Sequence, residues 1–330
     1  MCFFHKYAVI IPAYNESITI QKVICDFARV KPDAYIVVVN NASTDDTQEK
    51  ACDVIKSQNI NGEVINCPTK GKGYAVRHAF RTVQAEYYIM VDADDTYLAD
   101  DLLNLLEPVE QGMYDCVIGD RLSNQMYQNT STRQFHYIGN RGVSSLINMF
   151  FKSNIVDLFS GYRVFSWEFV KHFPIVSKGF ELETEMTLHM LTNHYRICEL
   201  PIQYQDRPEG SESKLNTFRD GFRVIRLMVS LIRLYYPLRF FSWMGFLFVS
   251  LGVFLGIPII VDFIQTGLVP RVPTAIFVGM CEVIGFILIA VGIILDSIIK
   301  LNQRQTELWR LHFSLDSQKI QNTFEKQFIN

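Results

Sequence analysis

The sequence predicts an α/β domain with a mainly parallel central sheet, followed by an amphipathic interfacial helix and a two-helix transmembrane hairpin. Three observations carry this. Short β-branched and aromatic runs alternate with segments of helical periodicity in the first third of the 330-residue chain, the pattern of strands joined by crossover helices. Every such run stops at glycine or polar residues, which places them on the carboxyl rim where open α/β sheets bind ligands. Apolar residues then crowd into the last third, in two stretches of about 22 residues, each spanning roughly 33 Å as a helix.

The run Tyr7-Ala8-Val9-Ile10-Ile11 stops at Pro12 and is the first strand; Ile18, Ile20, Val23, Ile24 and Phe27 give the helix after it. Tyr35 to Val39 is the second strand, Asn40 to Thr47 a loop and helix cap, and a helix runs to about Lys56. Val64 to Cys67 is a short third strand, ahead of Lys70-Gly71-Lys72-Gly73-Tyr74 and a helix from Ala75 to about Val83. Tyr87 to Val91 is the fourth, and it ends at the acidic cluster Asp92-Ala93-Asp94-Asp95. Clustered carboxylates at the mouth of a buried strand suit a hard divalent cation and its phosphate ligands, although acidic residues there also cap turns, the role expected of Asp95. Asp115 to Arg121 reads as a further strand ending in a charged pair, Gly139-Asn140-Arg141-Gly142 opens a helix with Val143, Leu146, Ile147 and Phe150 on its apolar side, and another helix opens at Glu181. The acidic first turn of that last helix suits the helix dipole, and Glu183 is a weaker candidate near the ligand.

From residue 215 to 239, apolar positions (Leu215, Phe218, Phe222, Ile225, Met228, Val229, Ile232) interleave with Arg219, Arg223, Arg226 and Arg233, the pattern of a helix lying on an anionic membrane surface. The spans are 240–261 and 274–295, within a hairpin of 240–299. Basic residues up to Arg239 and again at Lys300 and Arg304 put both flanks in the cytoplasm. Glu282, inside the second span, costs about 2.5 to 3.5 kcal/mol there and should face another helix, face another subunit or be protonated. Residues 300–330 form a polar tail. The expected organisation is therefore a cytosolic catalytic domain over 1–214, the juxtamembrane helix, the hairpin and a cytosolic tail, in an integral membrane protein (the cell membrane, for a bacterium).

A net charge of -3 argues against a nucleic-acid binder, which needs a concentrated basic face. The seven cysteines are scattered, with no C-x-x-C spacing, and read as reduced thiols. No G-x-G-x-x-G follows the first strand and no G-x-x-x-x-G-K-[ST] occurs, so dinucleotide and P-loop folds are disfavoured.

Four segments together resemble the family 2 glycosyltransferases, with the GT-A nucleotide-sugar fold: Val9 to Glu16, Asn41 to Thr47, Gly71-Lys72-Gly73 and the D-x-D of Val91 to Asp94. The resemblance implies that Pro12, Ala13, Tyr14, Glu16, Asn41, Asp45, Gly71, Lys72, Gly73, Asp92 and Ala93 hold the donor, and that Asp92 and Asp94 hold Mg²⁺ or Mn²⁺ on its diphosphate. Such a metal, with Lys72 nearby, would stabilise the charge that builds on a diphosphate leaving group. Many relatives have a carboxylate pair where this chain has Asn40-Asn41. An amide both donates and accepts, which leaves uridine or guanosine open.

Asp157-Leu158-Phe159-Ser160-Gly161-Tyr162-Arg163 resembles the D-x-x-S-G-x-R segment of the lipid-phosphate branch, which includes dolichol-phosphate mannose synthase and the bacterial undecaprenyl-phosphate glucosyltransferases. That resemblance makes Asp157 the catalytic candidate beside the anomeric carbon, with an ion pair to Arg163 or Arg141 as its purely structural alternative. The acceptor or phosphate ligands it implies are Arg121, Arg141, Ser160, Gly161, Arg163, Arg207, Ser213 and Lys214. The implied reaction is inverting transfer of a sugar from a nucleotide-diphosphate donor to a polyprenyl phosphate, undecaprenyl or dolichyl, at the cytosolic leaflet. The lipid-phosphate-linked sugar would serve cell-envelope glycan or protein glycosylation. Partners are then the donor, the lipid acceptor and the membrane, with no nucleic acid and with homo-oligomers formed through the hairpin. A processive polysaccharide synthase is the enzymatic rival, weakened by having two spans and no Q-x-x-R-W motif. A membrane-anchored nucleotide-sugar-binding scaffold without turnover is the non-enzymatic one.

Overall fold

The computed structural model describes residues 5–123, 134–179, 181–208, 226, 229–230 and 233–328; for 134–139, 146 and 309–328 it describes the backbone alone. The chain divides into two compact units, the larger built on residues up to 220 and the smaller on 221–311.

In the larger unit the apolar runs become strands and the periodic segments become helices. They follow in the order β1 (His5–Ala13), α1 (Ile20–Val30), β2 (Tyr35–Asn40), α2 (Thr47–Ser57), β3 (Gly62–Asn66), α3 (Lys72–Thr82), β4 (Ala85–Met90), α4 (Leu102–Glu110), β5 (Cys116–Asp120), α5 (Gln134–Phe151), β6 (Arg163–Ser166), α6 (Trp167–His172), α7 (Leu182–Thr192) and β7 (Ile197–Pro201). The sheet order is β3-β2-β1-β4-β6-β5-β7. β1 pairs parallel with β2 and β4, and β2 with β3. β6 runs antiparallel between β4 and β5, while β7 joins β5 in parallel. Six strands therefore point one way and β6 alone the other, an arrangement that the residue pattern, read as a parallel sheet, does not disclose.

Both faces of this sheet are covered, which is why its central strands are apolar without alternation. Val9, Ile11, Ile36, Val38 and Ile89 pack with Ile24 and Phe27 of α1, Val54 of α2 and Leu105 of α4. Ala8, Ile10, Val37, Val39 and Met90 face the other way, against Val76 and Phe80 of α3, Phe169 of α6 and Met186 of α7.

The smaller unit contains α8 (Pro237–Thr266) and, up to residue 311, α9 (Val272–Phe328), joined by a turn in which Gly267 takes a left-handed φ of 69° and closes α8 through its N–H to Phe263 O. The connection is shorter than the expected 262–273 because α8 runs on to Thr266 and α9 takes Pro273 into its first turn, where the missing N–H is harmless. Both helices are long and apolar enough to cross a membrane. Their large apolar side chains point outward, Trp243 71%, Phe254 71% and Ile264 76% exposed, which is the reverse of a soluble core. Small residues line the contact between them: a Cβ at Gly245 would lie 2.7 Å from Gly285 O, and one at Gly252 2.6 Å from Glu282 Oε1. Glu282 thus faces the other helix of the hairpin. Residues 215–225, 227–228 and 231–232 of the expected interfacial helix lie outside the described residues, as do Ser213 and Lys214.

Candidate active site

The site forms where strands end. Asn15, Ala42 and Asp95 follow β1, β2 and β4, and all three are non-glycine residues at positive φ, 54°, 57° and 58°. Backbone held in that region costs about 1 kcal/mol or more per residue and collects where surrounding contacts over-determine it. Those contacts are visible here. Asn15 N donates to Ser43 Oγ (3.1 Å), Thr44 N to Asn15 Oδ1 (2.8 Å) and Glu16 N to Thr47 Oγ1 (2.9 Å), zipping the loop after β1 to the loop after β2. Asp45 joins the zip by accepting from Ser17 N and from Thr47 N and Oγ1. Burial pushes its carboxyl pKa up, but these hydrogen bonds more than compensate and the net shift is downward. Lys70 reaches across to Tyr14, its Nζ 2.7 Å from the hydroxyl and over the ring.

Several residues expected at the donor turn out to build the loops that would hold it. Asn41 is 3% exposed; its Nδ2 donates to Thr69 O and its Oδ1 accepts from Gly71 N, both at 2.7 Å. Asn40 donates to Gln48 and Asn66. Gly71, at φ 140°, and Gly73 have a packing reason as well: a Cβ on either would overlap the carbonyls of Lys178 and Ser177.

Beyond β4, three carboxylates and two cations form one network. Lys72 bonds Asp92 and, at 2.5 Å, Glu183, which is 3% exposed. Burial opposes the Lys72 ammonium, yet the two carboxylates outweigh it and its pKa is raised. Asp94 Oδ1 accepts from Thr96 Oγ1 (2.6 Å), and its Oδ2 lies 2.5 Å from the Arg207 guanidinium. Burial and then the charge of Asp92 raise the Asp94 pKa, with Arg207 pulling the other way. Arg207 arrives there because the segment after β7 is pinned along the D-x-D loop: Gln205 Nε2 donates to Asp95 O, Gln205 N to Thr96 O, and Tyr204 bridges Tyr97. Ala93 O accepts from Thr19 Oγ1 of the first loop. Asp95 does more than cap a turn, since both of its oxygens hold Lys22 of α1, at 2.6 and 2.7 Å.

β6 begins beside the end of β4, with Met90 opposite Arg163. The Asp157–Arg163 segment therefore enters directly under the D-x-D. A Cβ on Gly161 would lie 2.9 Å from the carboxyl carbon of Asp92, so glycine is what lets the two segments touch. Gly161 N donates to Tyr97 OH, and Ser160 is fully buried.

Two expectations for this segment are corrected. Asp157 is 0% exposed and accepts four hydrogen bonds: from Arg121 Nε (2.7 Å), Arg121 Nη2 (2.8 Å), Arg121 N (3.1 Å) and Asn140 Nδ2 (2.9 Å). Its ion-pair partner is Arg121, rather than Arg163 or Arg141. Burial alone would raise its carboxyl pKa; the Arg121 guanidinium overrides that and holds it below the usual range. Arg163, expected among the phosphate ligands, is also 0% exposed, because its guanidinium folds back to donate to Ser160 O (2.9 Å), Leu158 O (2.7 Å) and Thr187 Oγ1 (2.9 Å). It staples the loop. Arg121 and Arg207 remain at the rim, 12% and 32% exposed in their side chains, with Arg121 over the Tyr204 ring, while Arg141 is exposed on α5.

Residues that motif reading passed over complete the frame. Asn140, Ser144 and Asn148 form a polar stripe at i, i+4, i+8 on α5, and all three bond the chain at 155–157. That spacing is a legible helical signal. Glu199, on β7, accepts from Val156 N and Asp157 N and had no such signal.

The glycosyl transferase family 2 model matches residues 8–173. Glycosyltransferase AglJ of Haloferax volcanii is 31% identical over 299 residues, covering 90% of this chain and 95% of that protein. The dolichyl-phosphate hexose transferase of the same organism is 27% identical (68% and 93% covered), and the undecaprenyl-phosphate mannosyltransferase of Micrococcus luteus 29% (63% and 86%). Among solved structures, glucosyl-3-phosphoglycerate synthase from Mycobacterium tuberculosis in complex with Mn²⁺, UDP-glucose and phosphoglyceric acid superposes with a TM-score of 0.51 at 17% identity, over 69% of this chain and 79% of that one, which establishes a shared GT-A-like fold. With half the chain inside the family match and a relative aligned over nearly its full length, the chain belongs to glycosyl transferase family 2.

Proposed function

We propose that this glycosyltransferase moves one sugar, with inversion, from a UDP- or GDP-linked donor to a polyprenyl phosphate at the cytosolic membrane leaflet. The observation that carries the reading is the contact of Gly161 with Asp92: the donor-side carboxylates and the acceptor-side segment share one rim, in a chain that also holds two helices able to cross a membrane. The dolichyl- and undecaprenyl-phosphate transferases among the relatives support the acceptor, and the solved structure with Mn²⁺ and UDP-glucose supports the donor.

Asp92 and Asp94 fit a hard divalent cation. With Glu183 beside them they set three carboxylates against the two cations Lys72 and Arg207, an excess of negative charge that suits such an ion. When bound there, Mg²⁺ or Mn²⁺ would neutralise the departing diphosphate. Lys72 stays by Asp92 and Glu183 to position the donor, while Arg207 exchanges Asp94 for phosphate oxygen. In the transfer, an acceptor phosphate oxygen bonds to the anomeric carbon as the bond from that carbon to the diphosphate oxygen breaks. A phosphate monoester is substantially ionised near pH 7, its second pKa being about 6, so the nucleophile needs no strong base. Asp157 accordingly acts through Arg121, fixing its guanidinium toward the acceptor phosphate.

A product assay crossing UDP- and GDP-sugars with undecaprenyl and dolichyl phosphate tests this. Formation of a lipid-phosphate-linked monosaccharide is the expected result. Donor binding without any lipid product would support the scaffold reading, and a growing polymer the synthase reading.

A further inference from the structure

We propose that Glu199 is a positioning residue for the acceptor, its carboxylate setting the backbone of Val156 and Asp157 and, through Asp157, the direction of Arg121. This rests on the acceptor reading above. Glu199 sits on the outermost strand, paired with Ile118 of β5. Its Oε2 accepts from Val156 N at 2.7 Å and its Oε1 from Asp157 N at 2.9 Å. Two consecutive backbone N–H groups are thus gripped by the two oxygens of one carboxylate. An amide of the same shape could accept only one of them and would turn an NH₂ toward the other.

From the far side the same stretch is held by α5, where Asn148 bonds both N and O of Ile155 and Ser144 bonds Val156 O. The Asp157 side chain leaves this clamp to take both Arg121 Nε and Nη2. Four groups in a line, Glu199, the Asp157 backbone, the Asp157 carboxylate and the Arg121 guanidinium, run from the sheet edge to the rim.

The placement is costly in a way that a mere tie is not. Asp120 at the end of β5 and Asp157 itself are the charges facing Glu199, and the thiols of Cys116 and Cys198 lie near it. Burial and these like charges push its carboxyl up to about 7. A neutral donor–acceptor side chain would avoid that penalty, so keeping an acid there points to a need for two strong acceptors in one plane.

The test uses the full-length protein in nanodiscs with undecaprenyl or dolichyl phosphate, whichever supports turnover, comparing Glu199→Gln and Arg121→Gln with wild type. Acceptor KM is read from turnover, and UDP or GDP binding with Mn²⁺ from calorimetry. Arg121→Gln should raise acceptor KM tenfold or more, and Glu199→Gln roughly three- to tenfold, with nucleotide Kd within about twofold in both. If Arg121→Gln leaves acceptor KM unchanged, the acceptor reading falls. If Arg121→Gln raises it and Glu199→Gln does not, or weakens nucleotide binding equally, the positioning role falls. Should Glu199→Gln fail to fold, Glu199→Asp decides: it keeps both acceptor oxygens but withdraws them by one methylene, so acceptor KM should still rise about threefold with nucleotide Kd within about twofold, and an unchanged acceptor KM overturns the inference.

Discussion

Replacing Asp157 with asparagine separates a catalytic base from a residue that orients another. In the structure the carboxylate is fully enclosed, and both of its oxygens accept two hydrogen bonds each, three of the four from Arg121. Whichever oxygen becomes NH₂, two donors are left facing a donor, and a nearly buried guanidinium loses its counter-charge. Breaking a buried pair by removing one partner costs about 3 to 5 kcal/mol. For a domain of this size that lowers the thermal midpoint by roughly 6 to 20 °C, and Arg121 is no longer aimed, so acceptor KM should rise along with the loss of kcat. The double variant Asp157→Leu/Arg121→Met removes both charges and should recover most of the stability but none of the acceptor affinity. The assay is thermal unfolding in detergent beside steady-state kinetics at varied lipid acceptor. A variant melting within about 2 °C of wild type, with kcat abolished and acceptor KM untouched, would mean that Asp157 is a base after all.

Removing divalent metal, or Asp94→Ala, should abolish turnover, and full activity in chelator would sink the metal assignment. Arg207→Met should tighten Mn²⁺ binding to the nucleotide-free protein roughly three- to tenfold, since Arg207 competes for Asp94 and is a third exposed, while slowing turnover; unchanged Mn²⁺ affinity in calorimetry would show that the pair does not compete. Gly161→Ala pushes the Asp92 carboxylate out of place, so the affinity for nucleotide diphosphate with Mn²⁺ should fall about tenfold for a stability loss of about 1 to 3 kcal/mol, and wild-type affinity would refute the contact. Glu199 is raised to about 7 from an ordinary 4.5, so folding favours its protonated form. The stability it contributes relative to Glu199→Gln should be largest below about pH 4.5, decline as pH rises to about 7 and then level off; urea titrations showing the opposite slope would contradict its burial among like charges.

Elements with a strong local signal were legible. β1, β2 and β4 are unbroken apolar runs because helices cover both their faces, and α1 shows its buried stripe at Ile20, Val23, Ile24 and Phe27. β6 and β7 were not, being four and five residues long, the latter only partly buried at the sheet edge, where a few residues carry no usable period. The order in which they join, with β6 reversed between β4 and β5, depends on pairings between distant residues.

The same division runs through the site. Residue types and spacing by themselves determined that carboxylates, glycines and cations would meet at strand ends, and that the chain carries two apolar helices, since both are properties of short windows of sequence. Which charge meets which was decided only by the tertiary structure. Arg163 and Arg121 look alike as cations in the sequence; one is folded back on carbonyls three and five residues behind it, the other is forked on a carboxylate 36 residues ahead. Glu199 acquires its role from lying beside the Asp157 backbone after β5 and β7 pair. An ion pair or a shared backbone grip is a property of two places brought within 3 Å, and in this fold the reversed strand β6 is what brings them there.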